Sequence, residues 1–112
     1  MLLKTTRIRA FAREDVPEVA RLWLRSFRHS DQTPSPDLQA YFDEVFFENP
    51  WYDPALPSLV YQNDRDQIIG FLGVMPRPMW FQDRLIRVAV ATQLMVDPHH
   101  RGFAALELLR RF

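Results

Sequence analysis

The chain has 112 residues, 47% hydrophobic and 25% charged, with nine Phe, three Trp, three Tyr, nine prolines, three glycines and no cysteine. That length holds one small domain and not two, and the aromatic content supplies a core, which argues against a wholly disordered chain. The lack of cysteine excludes a disulfide framework, a thiol nucleophile and a thiolate metal site, while a formal net charge of zero argues against a broad nucleic-acid footprint.

In chain order, Thr6-Arg7-Ile8-Arg9-Ala10-Phe11 alternates polar and apolar residues and predicts a short strand. After the turn Ala12–Asp15, Asp15 stands as a helix cap with Glu18 in capping-box position. Val16, Val19, Ala20, Trp23, Leu24 and Phe27 then recur at helical spacing, so residues 16–28 form an amphipathic helix with Arg21, Arg25 and Arg28 on its other side. A proline-containing linker, Asp31 to Pro36, leads to a second helix capped by Ser35, with Pro36 at its first position. Its apolar stripe is Leu38, Tyr41, Phe42, Val45 and Phe46, and Asn49-Pro50 stops it. Trp51 to Pro57 is an irregular connection, and the dense aromatics here either pack onto a sheet or form a wall facing a substrate.

Ser58–Gln62 is a strand, Asn63–Asp66 a turn, and Gln67–Met75 a strand containing Gly70 and Gly73. Pro76 and Pro78 imply an edge or a break there. Met79–Phe81, Gln82-Asp83 and Arg84–Ile86 read as arm, turn and arm of a hairpin, although the turn lacks glycine. Arg87–Val96 is the longest β-like run and is expected to be a buried central strand. Asp97-Pro98 ends it, and after His99-His100-Arg101-Gly102-Phe103 the residues Ala104–Phe112 form a helix. The order β-α-α-β-β-β-α describes an α+β domain with a mainly antiparallel sheet flanked by helices.

Chemistry concentrates where the last strand passes into the last helix. A small-residue loop opening a helix directs free N–H groups and the helix dipole towards an anion. Arg101 adds charge-assisted bonds to phosphate oxygens, and Gly102 lets a ligand approach the backbone. The same stretch also describes an ordinary strand-to-helix turn.

Val96-Asp97-Pro98-His99-His100-Arg101-Gly102, after a long strand and before an Ala/Leu-rich helix, resembles the acyl-CoA-binding motif of the GCN5-related N-acetyltransferase (GNAT) family. That motif runs from Arg or Gln, through two residues to Gly, then one residue to Gly or Ala; counted from Arg101, its two small-residue slots hold Ala104 and Leu106. Ile8–Phe11 with Glu14-Asp15-Val16-Pro17 resembles the family's first strand and helix, Ile69-Gly70-Phe71-Leu72-Gly73 its third strand, and Leu94-Met95-Val96 its fourth. The resemblance implies a GNAT-like fold and transfer of an acyl group from acetyl-CoA, or another acyl-CoA, to a small-molecule or peptide amine. It implies cofactor contacts at Leu94, Met95, Val96, Arg101, Gly102, Phe103, Ala104, Ala105 and Leu106. It also implies that the 112 residues are one partial domain, shortened after the third helix, since family members continue with further strands and a helix.

No general base is assigned: His99, His100, Asp97, Glu44 and Glu48 are candidates, each with an ordinary structural explanation. Adjacent histidines diverge and no spaced His/Asp/Glu set supports a metal. The serines lack a nucleophile-elbow context. The N-terminus does not read as a signal peptide and no stretch approaches the roughly 20 apolar residues of a membrane span, so the expected location is cytoplasmic, with neither membrane nor nucleic acid as partner. The competing expectation is a non-catalytic interaction module, a homodimer or a domain-swapped oligomer completing the sheet.

Overall fold

Four strands and three helices follow the order β-α-α-β-β-β-α along residues 7–100 and 104–112, the residues that the computed structural model describes. They are β1 (Arg7–Ala10), α1 (Val16–Arg28), α2 (Pro36–Phe46), β2 (Leu59–Gln62), β3 (Ile68–Phe81), β4 (Arg84–Val96) and α3 (Ala104–Arg111). The strands lie in the order β1-β2-β3-β4, and all three pairings are antiparallel. Among the described residues no helix is long and apolar enough to cross a membrane.

The sheet is covered on both faces. Phe71 and Met95, register partners on β3 and β4, join Val60 on the face that receives α1 and α2, through Val19, Ala20, Leu22, Phe42 and Phe46. Leu72 and Val74 point to the opposite face, with Tyr61 and Ile69, and meet Ala104 and Leu108 of α3. The first face is largely aromatic: Phe71 makes edge contacts with Phe11 at 5.0 Å and Phe46 at 5.3 Å, and Phe42 stacks on Phe46 at 5.9 Å.

Several sequence expectations change in physical detail. Ser35 caps α2 as its residue type demands, its hydroxyl accepting from the Leu38 N–H at 3.1 Å. Asp15 does not cap α1 with its side chain. Its backbone is already helical, so the carboxylate turns back to accept from the Ala12 N–H at 2.9 Å and from both Arg9 guanidinium nitrogens at 2.7 and 2.8 Å. Burial alone would raise the Asp15 pKa, but the Arg9 and Ala12 hydrogen bonds and the Arg9 charge hold it below the ordinary carboxylate value. Glu18 likewise leaves the capping box and accepts from the Ile68 N–H at 2.7 Å, at the start of β3. On α1, Leu22 is fully buried and Phe27 is exposed, because the sheet and α2 both cover the helix and widen its apolar face on the Leu22 side.

β3 runs through Pro76 and Pro78 without a break. β2 pairs with β3 only as far as Leu72, so beyond that point one edge of β3 has no described strand beside it. Two prolines two residues apart turn their nitrogens to the same edge, and β4 remains paired on the other. The Gln82-Asp83 hairpin turn forms without glycine, both residues adopting left-handed backbone at φ 50° and 62°. Within the described sheet β4 lies at the edge and not in the centre, and Met95 is its buried residue. The apolar run carries the signature of a strand covered on both faces, yet its first half forms a hairpin arm reaching past the helices.

Candidate functional site

The site is organised by a defect in the β3–β4 ladder. Leu72 pairs with Leu94 and Val74 with Ala91, so Gly73 faces two residues of β4, Thr92 and Gln93. This bulge re-aims the strand just before Leu94-Met95-Val96. Met95 points into the core against Phe71, Leu94 is partly exposed, and Val96 packs towards α3. The Asp97 N–H donates to the Ile69 carbonyl at 2.8 Å. By the alternation of an antiparallel ladder, the polar backbone groups of Met95 then face β3, and those of Leu94 and Val96 face the outer edge of β4. No other described strand lies beside that edge.

Asp97 closes the strand. Its side chain is buried; Oδ1 accepts from the His99 N–H at 2.9 Å and Oδ2 from Arg25 Nη1 at 2.7 Å. The first bond shapes a 3-10 turn at Pro98–His100, in keeping with the role of turn cap expected of an Asp before Pro. The second ties the turn to α1, on the far face of the sheet from α3. Arg101, Gly102 and Phe103 lie outside the described residues. Ala104 opens α3 and is buried in the cluster that holds Tyr61, Ile69 and Leu72. Ala105 is half-buried and Leu106 is exposed.

Among the described side chains the candidate bases do not converge, and that of His100 lies outside them. Glu48 pairs with Arg13 at 3.4 Å, Glu44 and His99 are exposed, and Asp97 is engaged as described. Among the described residues no group of three or more His, Asp or Glu could hold a metal ion. Closer to the bulge, Gln93 Nε2 donates to the Tyr41 hydroxyl of α2 at 2.7 Å, while Gln93 Oε1 is buried with no hydrogen-bond partner among the described residues. Neither Tyr41–Gln93 nor Arg25–Asp97 is visible in local sequence, since the partners lie 52 and 72 residues apart. The one available signal was an Asp that ends an apolar strand, which needs donors when buried.

Among the described residues, cavities lie near the two ends of β4. One of about 340 Å³ lies beside Asp97 and is lined by Glu18, Arg21, Arg25 and Ile69 among others. The larger, about 630 Å³, lies at the other end of the strand, against Trp51, Tyr52, Asp53, Arg77, Leu85 and Arg87. Of the aromatics that follow α1, Phe42 and Phe46 therefore pack on the sheet, and Trp51 and Tyr52 form a cavity wall. Arg77 lies over the Trp51 ring at 4.7 Å, and Arg87 pairs with Asp53.

Residues 7–111 match the family model described as an acetyltransferase (GNAT) domain. A search of the curated proteins found no match. Similar solved structures include a fungal multi-domain GH3 β-N-acetylglucosaminidase with a GCN5-related glucosamine N-acetyltransferase region, 13% identical with a TM-score of 0.69, covering 99% of this chain and 12% of that one. An aminoglycoside N-acetyltransferase in complex with CoA is 18% identical with a TM-score of 0.67, covering 98% of this chain and 68% of that one. The Saccharomyces cerevisiae N-myristoyltransferase with bound myristoyl-CoA is 11% identical with a TM-score of 0.68, covering 99% of this chain and 26% of that one. The chain thus spans 12% of the fungal protein and 24% of a conserved Enterococcus faecalis protein of similar fold. At these identities the likeness is one of fold.

Proposed function

We propose, on the premise that this chain belongs to the acetyltransferase (GNAT) family, that it forms the acyl-CoA-binding part of an N-acyltransferase. The donor is acetyl-CoA or another acyl-CoA, and the acceptor a small-molecule or peptide amine. The observation that carries this reading is the outer edge of β4 at Leu94 and Val96, between the bulge at Thr92–Gln93 and the first turn of α3. An edge with outward N–H and C=O groups suits an extended ligand that carries amides, and the start of a helix suits an anion. The residues present therefore fit an acyl-CoA.

When bound, an acyl-CoA supplies a thioester carbonyl open to attack by a neutral amine. The backbone at Leu94 and Val96 would hold the amide-bearing arm, the α3 start with Arg101 would hold the phosphates, and an N–H near the bulge would polarise the carbonyl. Met95 and Phe71 keep the strand rigid from behind, because both are buried in the aromatic face of the core. Isothermal titration with acetyl-CoA tests the reading. Micromolar binding weakened by Arg101→Glu supports it, and no binding at millimolar ligand overturns it for this chain.

A second reading, an interaction or dimerisation module, draws on the hairpin tip, where Met79, Trp80, Phe81 and Leu85 are exposed on both faces. Sedimentation equilibrium separates the two: association without acetyl-CoA binding favours the module.

A further inference from the structure

We infer that Arg25 is a positioning residue, holding from α1 the end of β4 and the turn Pro98–His100; the consequence for coenzyme A rests on the function proposed above. Three structural layers meet at Asp97. Its backbone N–H is bonded to β3 through Ile69 O, its Oδ1 holds the His99 N–H in the turn, and its Oδ2 receives Arg25 Nη1 at 2.7 Å. The carboxylate is 3% exposed and the Arg25 side chain 31% exposed, so water reaches the guanidinium but scarcely reaches the acceptor. A charge-assisted bond in such a place is strong.

Arg25 does not act as an isolated surface residue. Glu18 lies seven residues earlier, two helical turns back on the same face of α1, and accepts from the Ile68 N–H at 2.7 Å. α1 thus clamps the first residue of β3 and the residue that follows β4 with two side chains in one line. Arg21 lies between them on that line, and the cavity of about 340 Å³ opens beside all three. The start of β3 and the end of β4 are neighbours in the sheet, with Gly70 paired to Val96. The clamp therefore sets the height of the strand end relative to the helix layer. That strand end carries the outward-facing groups of Val96, so a shift there moves the proposed cofactor surface on β4.

The test compares wild type, Arg25→Met and Arg25→Lys in the intact chain, at a temperature where circular dichroism shows all three folded. Hydrogen exchange at the His99 amide reads the tether directly, and titration with coenzyme A reads its consequence. Arg25→Met is expected to speed His99 exchange and weaken coenzyme A binding about tenfold each, with Arg25→Lys recovering most of both. Unchanged His99 exchange in Arg25→Met overturns the inference whether or not coenzyme A binds. Faster exchange with an unaltered dissociation constant overturns the link to the cofactor. A wild type that binds no coenzyme A overturns the functional reading, while the tether is still decided by the His99 exchange. If Arg25→Met does not fold, Asp97→Asn takes its place: it keeps an oxygen for the His99 N–H and removes the charge, and the same shifts are expected.

Discussion

Gly73 lies against the ring of Phe46 with no room for a methyl group. A Cβ at Gly73 would meet Phe46 Cε1 at 2.7 Å and Cζ at 2.9 Å, with Thr92 Cγ2 at 3.0 Å. The ring has nowhere to retreat, because Phe11, Phe42 and Phe71 surround it. Since Gly73 faces the bulge at Thr92–Gln93, the close approach of helix to strand and the bend of β4 are one feature. Gly73→Ala is expected to destabilise the fold by about 1–3 kcal/mol through overpacking. Urea denaturation measures this, and Phe46→Leu added to Gly73→Ala should cost less than the two single changes summed, because each relieves the other.

Asp15 makes stability depend on acid. Its folded pKa lies below the ordinary carboxylate value, so its contribution is complete above that ordinary value and is lost as pH falls through the lowered one. The stability difference between wild type and Asp15→Asn should therefore shrink as urea melts are taken from about pH 6 down to about pH 2. A difference that stays constant over that range would show that the Arg9–Asp15 pair is not the cause.

Ser35 caps α2 and is expected to contribute about 1 kcal/mol, measured as the loss on Ser35→Ala. Ser35→Asp should keep most of it, since a carboxylate serves the same N–H and favours the helix dipole.

On the function proposed above, the tyrosine beside the bulge is expected to bear on turnover and not on cofactor affinity. Tyr41→Phe removes the oxygen that receives Gln93 Nε2 and frees the amide in the bulge. In an acetyl-transfer assay the rate is expected to fall roughly threefold or more through loss of orientation. The dissociation constant for coenzyme A should stay within a factor of about two, because the outward groups of Leu94 and Val96 are untouched.

Pro76 and Pro78 remove two donors from the bare edge of β3, next to the exposed apolar tip. Replacing both with Thr is expected to raise self-association, read as a concentration-dependent shift in sedimentation. A monodisperse double variant would show that the edge needs no such protection.

How far the sequence discloses this fold depends on the range of the interaction. The bounds of α1 and the start of α2 are legible because helical spacing and the Ser35-Pro36 cap are local signals. Asp15 and Glu18 satisfy a local capping rule for α1, but Asp15 turns back to Arg9 and the Ala12 N–H, and Glu18 answers to the distant Ile68 N–H. The two prolines read as an edge or a break, and only the assembled sheet decides for the edge, because nothing local says which strand edge is bare. At the proposed site, the β4 end and the α3 start are named from a family pattern alone. Arg25 and Tyr41 are not legible, since each reaches its partner only after the sheet has formed.

The most direct measurement is a coenzyme A titration followed by amide chemical shifts of the labelled protein. The account predicts that the largest shifts fall on Leu94, Met95, Val96 and Ala104, with Trp51, Tyr52 and Arg87 at the larger cavity hardly moving. Shifts centred on Trp51 and Arg87, or none at millimolar coenzyme A, would contradict the assignment of the β4 edge as the acyl-CoA site.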